Sequence, residues 1–318
     1  MPKALSKLDN IYHPLFEKHK VQVQVKRDDL MHGIISGNKW RKLKYNLKQL
    51  KTKQYQGAIT FGGSYSNHIH AFAYACKQAD IPCIGIIRGE ERYASNFTLA
   101  WARHWGMQCH FVDRKTYRRR FETEFLSELS RQYPQHFIIP EGGSNALAIP
   151  GVAEVITELN KQTVFDTLIT PVGSGGTLAG LISGDSVANE QQHKILGVAV
   201  LKQAEYLMDE IKNLLTPQGL THADWHLLTK YHRGGYAKFS QADAERLIAF
   251  NQQTGIIFEP VYSGKMILAL LDLLEQGYFK AHERIVLLHT GGLQGLGGMI
   301  EQAKLNEKDW PIPPKAPA

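Results

Sequence analysis

Short apolar runs alternate with longer amphipathic ones along this chain, and that alternation limits the fold more than any other feature. VQVQV (21–25), GAITFGG (57–63), PCIGIIRG (82–89), QCHFVD (108–113) and HFIIP (136–140) read as strands. Between them, helical periodicity runs over 39–52, 66–79, 94–105 and 115–132. A second series follows: a helix over 151–161, the strand FDTLITPVG (165–173), a helix over 176–184 and the strand ILGVAVL (195–201). Helices are expected near 204–215, 240–254 and 264–276, and RIVLLHTGG (284–292) is a last strand. Such alternation implies mainly parallel open sheets covered by helices on both faces. Ligands are then expected beyond the carboxyl ends of the strands. The spacing predicts an α/β protein of two domains, a smaller one over 54–150 and a larger discontinuous one joining 1–53 to 151–318. A chain of 318 residues suffices for both.

Three strand ends are rich in glycine: FGGSYSN, PVGSGGT and HTGG. In PVGSGGTLAG (171–180), Gly173, Gly175 and Gly176 let backbone N–H groups turn inward between a strand and a helix, and Ser174 and Thr177 add hydroxyls. No GK[ST] follows, and Leu178 stands where a dinucleotide fingerprint needs its third glycine. The pattern suits a phosphate monoester at a helix N-terminus, although a plain tight turn has the same composition. In GGSYSNHIHA (62–71), Ser66 and Asn67 open a helix, either as an ordinary cap or as contacts for a carboxylate. His68 and His70 lie two apart and do not share a helix face, so no metal is expected there. Tyr262 in EPVYSGK and Tyr236 in HRGGYAKF are either packing anchors or acid/base groups.

Lys39 is the odd residue. It follows Gly37 and Asn38 at the start of a helix, where the macrodipole disfavours positive charge. It is either a solvated surface lysine or an amine that works uncharged or as an imine. An imine makes sense if a phosphate and a carboxylate are anchored nearby.

The bulk composition excludes several classes. Cys76, Cys83 and Cys109 are few and odd in number, which argues against a disulfide framework or a structural zinc site. With 43% hydrophobic residues but no run long enough to span a bilayer, no membrane partner is expected, and the absence of an apolar leader suggests a cytoplasmic protein. The net charge of +7 is uneven: residues 1–60 carry 13 Lys+Arg against 4 Asp+Glu, or +9, leaving −2 for the rest. Neither this basic segment nor Arg118, Arg119 and Arg120 shows a known nucleic-acid motif spacing, so solvated helix faces are expected rather than a nucleic-acid surface. The Pro-rich tail 311–318 reads as a loose end.

Taken in order, KRDD (26–29), GNKxRKL (37–43), GGxxSNH (62–68), EGGSN (141–145), VGSGGTLAG (172–180), PVYSGK (260–265) and HTGG (289–292) span nearly the whole chain. Together they resemble the pyridoxal-phosphate enzymes of the tryptophan-synthase-β type, fold type II. Within these they resemble the D-cysteine desulfhydrases and 1-aminocyclopropane-1-carboxylate (ACC) deaminases. The resemblance implies pyridoxal 5'-phosphate as cofactor, with Lys39 as the Schiff-base lysine. It implies Asn67 on the cofactor's 3′-oxygen and Gly173, Ser174, Gly175, Gly176 and Thr177 around its phosphate. Thr290 would meet the pyridine nitrogen. Ser66, Asn67 and His68 would line the substrate carboxylate, Ser66 moving a proton, with Tyr236 and Tyr262 facing the substrate and Ser144 and Asn145 at the border of the site. A homodimer acting on a small amino acid is implied too.

ACC deaminases carry glutamate after PVY, leucine after the following histidine, and Ser-Asn-Gln. This chain has Ser263, Thr290 and Ser66, Asn67, His68, as on the desulfhydrase side. The implied reaction is β-elimination from D-cysteine to pyruvate, ammonia and sulfide, with ACC deamination to 2-oxobutanoate as the alternative. A non-catalytic protein binding pyridoxal phosphate or nucleic acid is the alternative of another class. SGNK in place of GGNK, a shorter segment before Lys39 and the stretch DDLMHGII depart from the family pattern.

Overall fold

The structure is a computed structural model that describes residues 5–187, 193–218 and 224–317. The chain forms two compact units. One comprises Met1–Asn38 and Ile149–Leu293, the other Lys39–Ala148 and Gln294–Ala318.

The larger unit begins with β1 (Lys7–Ile11), α1 (Pro14–Lys18) and β2 (Gln22–Arg27). The smaller unit then takes α2 (Asn38–Thr52, whose first residue belongs to the larger unit), β3 (Gly57–Gly63), α3 (Asn67–Ala79), β4 (Cys83–Arg88) and α4 (Phe97–His104). It continues with β5 (Gln108–Val112), α5 (Arg114–Arg118), α6 (Thr123–Gln132) and β6 (His136–Ile139). The chain returns to the larger unit with α7 (Ala148–Gln162), β7 (Thr167–Val172), α8 (Gly176–Val187), β8 (Lys194–Ala199), α9 (Leu207–Leu215) and β9 (Trp225–Leu228). There follow α10 (Gln241–Thr254), α11 (Ser263–Glu275) and β10 (Arg284–Leu288), before α12 (Gly295–Glu301) rejoins the smaller unit.

The larger sheet has the order β1-β2-β10-β7-β8-β9, and only the β1–β2 pair is antiparallel. The smaller sheet, β5-β4-β3-β6, is parallel throughout. The α/β class and the parallel sheets are as the alternation predicts. β3 and β7 are apolar runs with every residue, or all but the last, buried, as strands covered on both faces should be. On one face of the larger sheet, Val152, Ile156 and Leu159 of α7 and Leu178 and Ile182 of α8 pack with Leu168, Ile195 and Val286. α11 lies against β7 and β8 with eleven of its thirteen residues buried, which makes it a rigid mount.

Several expectations need correction. Helix 115–132 is two helices with a 3-10 turn at Arg119–Phe121 between them. Its arginines are spent on pairs: Arg119 with Glu122 and Glu128, and Arg120 with Glu141. Residues 39–53 belong with the smaller unit, because Asn46 of α2 exchanges hydrogen bonds with Asn145 and Lys42 donates to Gly142 O and Ser144 Oγ. Residues 294–317 belong there as well. Phe97 N donates to Glu301, and Trp101 Nε1 donates to Pro314 O, so the tail is anchored at that point. Among the described residues, no helix is long and apolar enough to cross a membrane.

Candidate active site

Both sheets have a point where strand order reverses, and the crevice beyond the strand ends at such a point is where open α/β sheets bind ligands. In the larger unit that point lies between β7 and β10. Beyond β7 comes the turn Gly173–Gly175 and then α8, whose first N–H groups have no intrahelical partner and whose dipole favours an anion. Gly175 holds φ +77°, and Gly173 lies so close under Tyr262 that a Cβ there would stand 3.0 Å from its ring. Asn38 Nδ2 donates to Thr177 Oγ1 over 2.8 Å, which leaves the Thr177 proton for another acceptor.

The loop beyond β10 meets the same stretch. Asn38 N donates to Thr290 O, and Gly292 N donates to Ser36 Oγ over 3.3 Å. The serine of SGNK therefore has a use of its own. Gly37, at φ +65°, packs directly on Thr290: a Cβ there would fall 1.9 Å from the carbonyl oxygen. His289 is fixed on both sides of its ring, Nε2 to Ile257 O and Nδ1 to Gly291 N. The residue before Lys39 is thus tied to the turn beyond β7 and to the loop beyond β10.

The two tyrosines meet edge to face at 5.7 Å, and α11 mounts both. Tyr262 is its N-cap. Buried Glu259 accepts from the N–H groups of Val261, Tyr262 and Ser263, and burial pushes it up to about 7 against these hydrogen bonds. Lys265 Nζ donates to the carbonyls of Val200, His232 and Gly235, which shapes the turn carrying Tyr236; burial pulls this amine down to about 8. Arg233 of that turn reaches Asp272 and Leu268 O, one and two turns along the helix. Ser263 is fully buried, with its hydroxyl on Glu259.

In the smaller unit the reversal lies between β3 and β6, beyond which come Ser64–Asn67 and Glu141–Ser144. Ser66 caps α3, its Oγ accepting from His68 N and Ile69 N. His68 turns its ring inward and is 2% exposed. Thr60 donates to Ile139 O, so it accepts from His68 Nε2, and the bare Nδ1 is buried without a partner. Only the backbone of His68 stands at the helix start. Asn67 Oδ1 accepts from Gln294.

Two basic groups near Lys39 are shifted towards their neutral forms. Burial, then Lys39, holds Lys42 well below the ordinary lysine range; burial, Lys39 and Lys42 do the same to His68. The structure therefore groups Gly173–Thr177, Thr290, Tyr236 and Tyr262 in the larger unit, and Lys39, Ser66, Asn67, His68, Ser144 and Asn145 in the smaller. Sequence reasoning passed over Asn38, Lys42, Glu259, Lys265 and Gln294. Asn38, Lys42, Glu259 and Lys265 stand in the stretches GNKxRKL and EPVYSGK, Lys42 also one turn after Lys39, whereas Gln294 lies outside every motif. The donors fit what pyridoxal phosphate needs: in the larger unit a helix N-terminus with glycines and a hydroxyl suits a phosphate, and in the smaller unit Lys39 offers an amine for an aldehyde.

Comparison with known proteins agrees. The pyridoxal-phosphate dependent enzyme family matches residues 10–291. A Pyrococcus horikoshii protein, provisionally named a 1-aminocyclopropane-1-carboxylate deaminase, is 32% identical over 86% of this chain and 85% of its own length. A D-cysteine desulfhydrase of Klebsiella pneumoniae is 29% identical over 86% of this chain and 88% of its own. A crystal structure of an ACC deaminase homologue superposes with TM-score 0.83 at 28% identity, covering 96% of this chain and 95% of that one. The chain belongs to the pyridoxal-phosphate-dependent enzymes, among the relatives of ACC deaminase and D-cysteine desulfhydrase.

Proposed function

We propose that this chain catalyses elimination from D-cysteine, in which water enters and pyruvate, ammonia and hydrogen sulfide leave. The observation that carries it is the hydrogen bond from Asn38 to Thr177. It ties the residue directly before Lys39 in the chain to the turn that would hold the phosphate. Pyridoxal phosphate, when bound, draws electrons away from the α-carbon of an amino acid joined to it. The residues supply the rest. Gly173, Ser174, Gly175, Gly176 and Thr177 would hold the phosphate, and Lys39 would hold the aldehyde. The freed Lys39 amine, with Ser66 and Tyr262 as the other candidates, takes the α-proton. Ser66 and Asn67, at the helix start that His68 continues, would line the carboxylate, Asn67 would also face the ring oxygen, and Tyr236 and Tyr262 would face the side chain of the substrate. Thr290 would meet the pyridine nitrogen.

The desulfhydrase reading is supported by Ser263, which stands where ACC deaminases place a glutamate and turns to Glu259. A hydroxyl such as Thr290 leaves the ring a weaker electron sink than a carboxylate would, and a thiolate is a good enough leaving group to depart nonetheless. ACC deamination is the second reading, supported by relatives of that name. A cytoplasmic homodimer with no nucleic-acid partner completes the proposal, and light scattering at twice the chain mass checks the dimer. The deciding experiment records the visible spectrum of purified holoenzyme before and after D-cysteine, with sulfide and pyruvate assayed together and ACC run in parallel. A shifted band with both products is expected. A band with 2-oxobutanoate from ACC alone selects the second reading, and a Lys39→Ala protein with unchanged band and turnover sinks both.

A further inference from the structure

After β10 the chain enters the smaller unit at Gln294, and there its side chain acts on one proposed site residue. Gln294 Nε2 donates to Asn67 Oδ1 over 2.7 Å. The neighbouring Gly295 lies so near the same amide that a Cβ would stand 3.1 Å from Oδ1. The contact is braced along α12. Gly297 packs on the ring of Phe97 and Gly298 on the ring of Tyr65, each closer than any Cβ would allow. Glu301 accepts from Phe97 N, and its charge lies near the Tyr65 hydroxyl. Tyr65 and Asn67 flank Ser66, so this segment clasps the turn that opens α3.

A primary amide has one acceptor oxygen and one nitrogen with two donors. With Oδ1 held by Gln294, the Asn67 amide keeps its N–H group for whatever it faces. We propose that Gln294 is a positioning residue for the reaction: by holding Oδ1 it fixes Asn67 in the orientation that donates to the cofactor's ring oxygen. The inference rests on the reading that Asn67 faces that oxygen. A donor there stabilises the deprotonated oxygen, so losing it raises the pH at which the visible band of the holoenzyme titrates.

The test compares Gln294→Glu, Gln294→Ala and Asn67→Ala holoenzymes and the double alanine variant, reading the midpoint of the band's pH titration and the dissociation constant for pyridoxal phosphate. A carboxylate at 294 only accepts, so Gln294→Glu pulls the Asn67 N–H group round to itself. The midpoint should rise by about one pH unit, as in Asn67→Ala. Gln294→Ala should shift it less, and should add nothing in the Asn67→Ala background. Gln294→Met, of similar length and without a donor, replaces the glutamate variant if that fails to fold, and is expected to shift as the alanine variant does. A shift in Asn67→Ala without one in any Gln294 variant overturns the inference, as does a Gln294→Ala effect that persists in the double variant. No shift in Asn67→Ala overturns the reading of Asn67 itself, and the inference with it.

Discussion

Replacing Gly37 by alanine tests whether backbone packing sets the place of Lys39. Gly37 has φ +65°, and an added Cβ would lie 1.9 Å from Thr290 O and 2.6 Å from Gly291 N, both backbone atoms. Reaching an ordinary 3.4 Å contact requires a displacement of about 1.5 Å, from 3.4 − 1.9. The left-handed backbone costs about 1–2 kcal/mol for a residue with a Cβ, and forcing a methyl into packed atoms about 1–3 more. Gly37→Ala should therefore lose about 2–5 kcal/mol. Gly255→Ala separates the two contributions: its φ is +69°, and nothing lies within 4 Å of its Cβ, so only the backbone cost remains. Gly33→Ala, with open space and no left-handed φ, should stay within about 0.5 kcal/mol of the parent. Urea denaturation of the three variants measures the series. Turnover gives a second reading, since moving a reacting group by about 1 Å costs on the order of 100-fold. If Gly37→Ala is no less stable than Gly255→Ala, or turns over like the parent, the packing argument is wrong.

Glu259 sits at about 7 in the folded chain against an ordinary 4.5. Between those values the folded state keeps a proton that the unfolded chain has released, so stability falls as pH rises across the window, by up to roughly 1.4 kcal/mol per pH unit. Glu259→Gln should flatten that slope in denaturation curves taken from pH 4.5 to 7; an unchanged slope assigns it elsewhere. Lys265→Met strips the donor from the carbonyls of Val200, His232 and Gly235. A loss of about 2–4 kcal/mol is expected, with a raised KM because the Tyr236 turn loosens, and steady-state kinetics beside denaturation checks both. Asn38→Ala removes the bond to Thr177 and should weaken pyridoxal-phosphate binding by about 5- to 10-fold, measured by titration of apoenzyme; unchanged affinity would mean that the cradle does not need it.

What the sequence revealed follows from how local each signal is. GAITFGG and RIVLLHTGG are central, doubly covered strands, and their apolar runs announce it. β1 and β9 went unread because they are edges: KLDNI is half polar, and WHLL has only four residues. α12 reads GLGGMIE, a poor helix by propensity, and the rings of Phe97 and Tyr65 require its glycines. Of the proposed site, Lys39 and the glycines after β7 lie in short motifs that can be read locally. Asn38 meets Thr177 across 139 positions and Gln294 meets Asn67 across 227, and no local pattern encodes such pairs. The boundary at 53 was misplaced for the same reason: α2 looks alike whichever unit it serves, and Asn46 reveals its side only through Asn145.

The position of β2 between β1 and β10 has a consequence for synthesis on the ribosome. Val23 pairs with Ile285, so about 260 residues must be added before β2 meets its partner. At roughly 5–20 residues per second this takes about 13–50 s. During that interval the β1–β2 hairpin presents an unpaired edge, a template for pairing with other nascent chains. All four strands of the smaller sheet, by contrast, are made by residue 139. Chains that stop before Arg284 lack not an outer strand but one from the middle of the larger sheet, and the His289–Gly292 loop with it.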